Sequence, residues 1–440
     1  HNLSVSGSGS IKATSETELC LFCHTPHNSS PRAPLWNKDD PGVSYTLYNS
    51  STAEATIGQP DGASVLCLSC HDGTIALGSV LSRTSDISFV SSITTMPTGE
   101  SNLSTDLSND HPISFVYNSA LATSDGQLYD PAALPPQIAL ENQKVQCISC
   151  HDPHNNDYNK FLVEDDKNSL LCTSCHNTTN WVVSSHRNSM ATWNSLGSDP
   201  WPNSNYTTVS DNACENCHTP HNAGGINRLM NYSNEEQNCL DCHNGNVATK
   251  DVYTEIMLKP YRHGVNTYSN IHDPTESSPL TKHVECQDCH NPHQANDVTS
   301  SAPLASGYIQ GVKGVNTDGN EISLIQNQYE LCYRCHSENA VTGSPTSRAI
   351  EQNNVRLEYD PSNLSTHPIE NGIRPNNSAI VTLIAPYDQT SVIYCTDCHS
   401  SDGVDTPKGP HGSNYPQILK YNYERVSFDP SSTAYEVCYR

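Results

Sequence analysis

No stretch of this chain approaches eighteen consecutive apolar residues, and Pro, Gly and Asn interrupt nearly every shorter apolar run. That pattern offers no transmembrane helix and predicts little regular structure. Short helices are expected at Glu16–His24 and Glu235–His243, and short strands at Ile87–Val90 and Ile380–Ile384. The remainder reads as mostly irregular coil with short helices and minor β, without a large sheet. Only 35% of residues are apolar and 7% aromatic, with 5 Phe. Composition alone therefore leans toward loops or disorder. A chain of 440 residues is long enough for roughly two to four domains, yet lacks the apolar side chains for ordinary cores.

Cysteine changes the picture. Cys-x-x-Cys-His occurs nine times, and it uses eighteen of the nineteen Cys. The thiol pairs are Cys20 and Cys23, Cys67 and Cys70, Cys147 and Cys150, Cys172 and Cys175, Cys214 and Cys217, Cys239 and Cys242, Cys286 and Cys289, Cys332 and Cys335, and Cys395 and Cys398. The His that follows each pair is His24, His71, His151, His176, His218, His243, His290, His336 or His399. Zinc knuckles do not need that His, and a disulfide framework would not place every Cys at one spacing. The pattern is the attachment signature of c-type haem. Two thiols add to the porphyrin vinyl groups, and the His becomes the proximal iron ligand. Nine covalently attached haem c groups would supply the missing core and staple loops that bury little apolar area themselves.

The motifs come in pairs, and the leading member of the first four pairs continues as Cys-His-x-Pro-His, ending at His27, His154, His221 and His293. Leu35, Leu162 and Leu229 each lie fifteen residues after the leading Cys, as in a duplicated unit. His111-Pro112-Ile113 and His367-Pro368-Ile369 mark a longer repeat. The pairs divide the chain into residues 1–140, 141–205, 206–282, 283–394 and 395–440. The first and fourth divisions each include a His-Pro-Ile segment. Tyr435-Glu436-Val437-Cys438-Tyr439-Arg440 repeats Tyr329-Glu330-Leu331-Cys332-Tyr333-Arg334 with one difference. A tenth haem is therefore expected if the chain continues past Arg440, with Cys and His as the next two residues.

Twelve further His and only 4 Met point to bis-His, low-potential irons, because Met raises haem potential relative to His. A His three residues after the proximal ligand lies on the same side of that haem and cannot reach the opposite face. It can reach a neighbouring iron, so one peptide segment would bridge two haems. Distal candidates are His27, His111, His154, His186, His221, His263, His283, His293, His367 and His411. His272 is left unassigned, and His1 reads as a solvated terminus.

The formal charge of −25 disfavours nucleic acid and anionic membrane surfaces as partners. The paired motifs, with Cys20–His27, Cys147–His154, Cys214–His221 and Cys286–His293, resemble the doubled-CXXCH multihaem c-type cytochromes. That resemblance implies electron transport at the cell surface or in the periplasm, with other redox proteins or extracellular acceptors as partners. It also implies an exported chain and, in some members, self-association into filaments. The expectation is an electron conduit for extracellular electron transfer, as a polymeric filament. A monomeric periplasmic or surface carrier is one alternative. A multihaem oxidoreductase with one open haem, acting on nitrite, hydroxylamine or a sulfur oxyanion, is another. No Cys-x-x-Cys-Lys variant supports the last.

Overall fold

The computed structural model describes residues 1–31, 33, 35–269, 271–274, 283–338, 352–372, 385, 387–424 and 434–438. The chain forms two compact units. The first comprises His1–Thr178 with Cys214–Ser233, and the second Thr179–Ala213 with Asn234–Arg440. Both are coil punctuated by short helices. The strands among the described residues are two-residue antiparallel pairs, Tyr261–Arg262 with Gly412–Ser413 and Gly314–Val315 with Glu321–Ile322. No helix among the described residues is long and apolar enough to cross a membrane.

Each attachment motif is a turn of helix, and the sequence dictates why. One turn places positions i and i+3 on one face, so both thiols point the same way. The His that follows closes the turn. Its N–H donates to the carbonyl of the first Cys, as in His24 to Cys20 at 2.8 Å and His151 to Cys147 at 3.0 Å. The residue before the second Cys often caps the turn. Ser149, Asp288 and Asp397 each accept from the N–H of the residue preceding the motif, at 3.0, 2.8 and 2.8 Å. This is half of a capping box. Three trailing motifs lie on longer helices, Gly62–His71, Glu235–Leu240 and Gln328–His336.

Hydrophobic burial is broken into small clusters. In the first unit they are Ala13, Phe22, Leu77 and Phe89; Tyr45, Leu68 and Leu107; and Phe115, Tyr117, Ala122 and Val145. In the second they are Trp201, Val209 and Val247, and Val315, Tyr329, Tyr333 and Ile369. Several of them border motif cysteines: Cys23 and Cys70 flank one, Cys175, Cys242 and Cys395 others.

Local expectations hold unevenly. Glu235–His243 is helical over Glu235–Leu240, whereas Glu16–His24 contains only a 3-10 turn at Cys20–Phe22. Ile87–Val90 is not a strand. Phe89 bridges Ala13, then Ser91 and Ser92 turn left-handed (φ 56° and 55°) and end the extended run. Ile380–Ile384 lies outside the described residues.

Candidate functional site

The motifs at Cys20, Cys147, Cys214 and Cys395 share a backbone clasp. The residue after the proximal His donates its N–H to a carbonyl nine to eighteen residues on, and the second Cys accepts from a residue two positions beyond that. Thr25 N–H to Leu35 O is 2.7 Å and Asn37 N–H to Cys23 O is 2.9 Å. The same two bonds join Asp152 to Phe161 and Val163 to Cys150, Thr219 to Leu229 and Asn231 to Cys217, and Ser400 to Ile418 and Lys420 to Cys398. Leu35, Phe161, Leu229 and Ile418 all sit at positive φ, 66°, 59°, 53° and 55°. Bulky residues rarely adopt that region, so the clasp holds a strained backbone in place. The turn presents the preceding carbonyl to the proximal ring. His151 Nδ1 lies 2.9 Å from Lys160 O, His218 Nδ1 2.8 Å from Arg228 O, and His399 Nδ1 2.8 Å from Gln417 O. The equivalence moves Leu162 out of line with Leu35 and Leu229. Phe161 takes that place, because the second copy is one residue shorter, and Leu162 bridges His151 as Trp36 bridges His24.

A carbonyl on Nδ1 fixes the tautomer that leaves Nε2 for a metal. Other motif rings are held likewise, His71 by Ser101 O at 2.7 Å and His290 by Tyr308 O at 2.8 Å. Second-ligand candidates show the same restraint. His111 Nδ1 is 3.0 Å from Pro112 O, His186 Nδ1 3.1 Å from Pro292 O, His263 Nδ1 2.9 Å from Pro410 O, and His221 Nδ1 3.1 Å from Asp110 Oδ1. Burial lowers the pKa of His111, His186 and His263, and pushes His176 and His243 down to about 4 and His411 to about 3. These rings are neutral at pH 7, as metal-binding imidazoles must be.

Imidazoles face one another in pairs, and each pair joins a motif His to one outside the motifs. In the first unit His24 faces His154 with ring centroids 6.1 Å apart, His151 faces His221 at 6.2 Å, His176 faces His111 at 6.3 Å, and His71 faces His1 at 6.0 Å. In the second His243 faces His186 at 6.1 Å, His336 faces His263 at 6.4 Å, and His290 faces His411 at 6.1 Å. Metal–imidazole bonds of about 2 Å on opposite sides of one ion, plus the ring radii, put two centroids about 6 Å apart. The donor set thus fits haem iron with two His ligands.

His293 meets the Trp181 ring edge-on at 6.1 Å, and His283 stacks on Tyr268 at 4.5 Å. His272 is buried against Glu285. Among the described residues no imidazole is paired with His27, His367 or His399. His1, read from sequence as a solvated terminus, is exposed, and its ring faces His71 and stacks on Phe161 at 4.3 Å. No local signal marks a ligand so far along the chain from its motif.

The thiols reveal a second order. Cys67 touches Cys147, Cys172 touches Cys214, and Cys332 touches Cys395. The helices at Cys239 and Cys286 also pack together. A trailing motif therefore lies against the leading motif of the next sequence pair.

Repeated Cys-x-x-Cys-His turns with a second imidazole opposite the first define a class, the multihaem c-type cytochromes. Family models agree. Residues 141–180 match the doubled CXXCH motif, and residues 206–412 match the outer membrane cytochrome MtrC/MtrF-like family, domains II/IV. Over those residues the chain resembles the doubled-CXXCH multihaem cytochromes and the MtrC/MtrF-like ones. No curated protein matches it.

Proposed function

We propose that this cytochrome conducts electrons along covalently held bis-His haems for extracellular electron transfer. The observation that carries the reading is the set of facing imidazole pairs at 6.0–6.4 Å. Bound haem c supplies one-electron chemistry at potentials tuned by its axial ligands. The protein's residues set position and order. His151 and His154 leave one short segment toward two different partners, His221 and His24. His221 extends the series from the Cys214 motif. His290 and His411 repeat it in the second unit. The thiol contacts add each trailing motif to that line. An exported chain with nine such centres, and a tenth if Cys438 opens another motif, suits long-range conduction.

The exposed His27 begins this series and His399 stands late in it, and neither has a ring partner among the described residues. That favours a polymer in which His27 of one copy completes the His399 centre of the next. Spectroscopy of the isolated protein tests conduction: ferric low-spin bis-His signals at all irons and no CO binding after reduction are expected. An iron that binds CO and turns over nitrite would favour the oxidoreductase instead. Electron microscopy tests the polymer, with filaments expected from the parent and dispersed particles from H27A at equal haem content. Dispersed parent particles with low-spin spectra would leave the monomeric carrier.

A further inference from the structure

A second kind of metal-ligand cluster lies in the second unit. His272 Nδ1 is 3.0 Å from Glu285 Oε2 and 3.7 Å from Asp288 Oδ1, and His283 Nε2 is 3.7 Å from the same Glu285 oxygen. The side chains of His272, Glu285, Asp288 and His283 are only 7%, 2%, 11% and 7% exposed. A single ligand atom each from His272, Glu285 and Asp288 falls within one 4.8 Å sphere of separations. From these distances we infer a non-haem site for one divalent cation of the zinc type, held by His272, Glu285, Asp288 and His283.

Three observations carry the assignment. The first is geometry. Ligand atoms around a tetrahedral ion with bonds of about 2.0–2.1 Å lie about 3.4 Å from one another. The measured separations of 3.0–3.7 Å bracket that value. Those at 3.7 Å are too long for hydrogen bonds. The second is a buried acceptor. Among the described residues Glu285 Oε1 has no hydrogen-bond partner, although its residue is only 3% exposed. An unsatisfied buried carboxylate oxygen is costly, and a cation on this carboxylate offsets that cost. The third is charge. Glu235, Glu285 and Asp288 face one guanidinium, Arg334, which is 2.8 Å from Asp288. Glu235 accepts the His272 N–H at 2.9 Å and the Gln287 N–H at 2.8 Å. Among the described residues, three ionised carboxylates against one guanidinium leave two negative charges, which one divalent ion neutralises. The two imidazoles select against Ca²⁺ and Mg²⁺, which prefer all-oxygen shells. Glu285 and Asp288 flank Cys286, and Glu235 opens the helix that carries Cys239. An ion here would lie beside the Cys286 motif, with its ligand His272 held to the Cys239 helix through Glu235, and outside the electron path.

Two protons on His272 and His283 would balance the same charge, and one experiment separates the alternatives. The haem-loaded protein is dialysed against a chelator, given zinc chloride, desalted, and assayed for zinc and for haem. The parent is expected to retain about one zinc per chain. H272A and E285Q should retain at least tenfold less at unchanged haem content. Retention of none by the parent, or equal retention by the variants, overturns the site. Zinc-edge X-ray absorption of the parent covers the case of variants that lose haem. Nitrogen and oxygen neighbours at about 2.0–2.1 Å are expected, and sulfur at about 2.3 Å would place the zinc on cysteines and overturn the assignment.

Discussion

Replacing His154 by Ala opens one iron if the facing pairs are axial pairs. His154 faces His24 at 6.1 Å with the rings only 15° from parallel. His151, three residues earlier, faces a different ring, His221. The loss should therefore fall on the Cys20–Cys23 centre alone. One of nine centres is about 11% of the haem. Haem content and far-UV circular dichroism equal to the parent's would separate loss of the ligand from unfolding. Reduced H154A should bind one CO per chain where the parent binds none, with about a ninth of the Soret band shifting. Millimolar imidazole should restore the low-spin spectrum, because the vacated place opens to solvent. Zero CO, two CO, or a failure of rescue would each refute the pairing of His154 with the His24 iron.

Other consequences can be measured. Lys38 is fully buried and donates to Ala76, Leu77 and Ser79 carbonyls at 3.0, 2.7 and 3.0 Å. K38M leaves the Leu77 and Ser79 carbonyls unmet, Ala76 O keeping the Ser79 N–H, and should cost about 2–5 kcal/mol in denaturant unfolding of the holo-protein. Burial raises the Glu215 pKa from 4.5 to about 7, the negative charge of Asp166 adding and Lys160 opposing. A carboxyl raised on folding is disfavoured once the unfolded chain ionises, so stability should fall as pH rises from 4.5 to about 7. E215Q should flatten that slope in pH-resolved melts. Gly78 gives its Cα face to the Ile87 carbonyl, with Ile87 N–H donating to Gly78 O at 2.9 Å. G78A drives a methyl into that oxygen and should lower the melting temperature by several degrees.

The attachment motifs are legible in the sequence because covalent chemistry fixes their spacing. The partners are not. That His154, and not His27, faces His24 depends on about 130 residues of intervening coil. Nothing local distinguishes those two Pro-His segments. The sequence pairs Cys147 with Cys172, whereas the Cys147 thiol meets Cys67 and that of Cys172 meets Cys214. Adjacency along the chain is not adjacency in space when the core is a cofactor. The Phe161 position was hidden by a one-residue deletion that only backbone hydrogen bonds reveal. Lys38 carries no pattern at all, since its partners are carbonyls supplied by a loop some forty residues later.

The clasp behind His24, His151, His218 and His399 has a consequence for how such a chain can vary. Lys160, Arg228 and Gln417 turn the same carbonyl toward an imidazole with left-handed φ of 46°, 56° and 59°, yet their side chains share nothing. Ligand orientation is written in the main chain, so the side chains above it are free to set surface charge. A designer could recolour the outside of this conductor residue by residue while its wiring stays put.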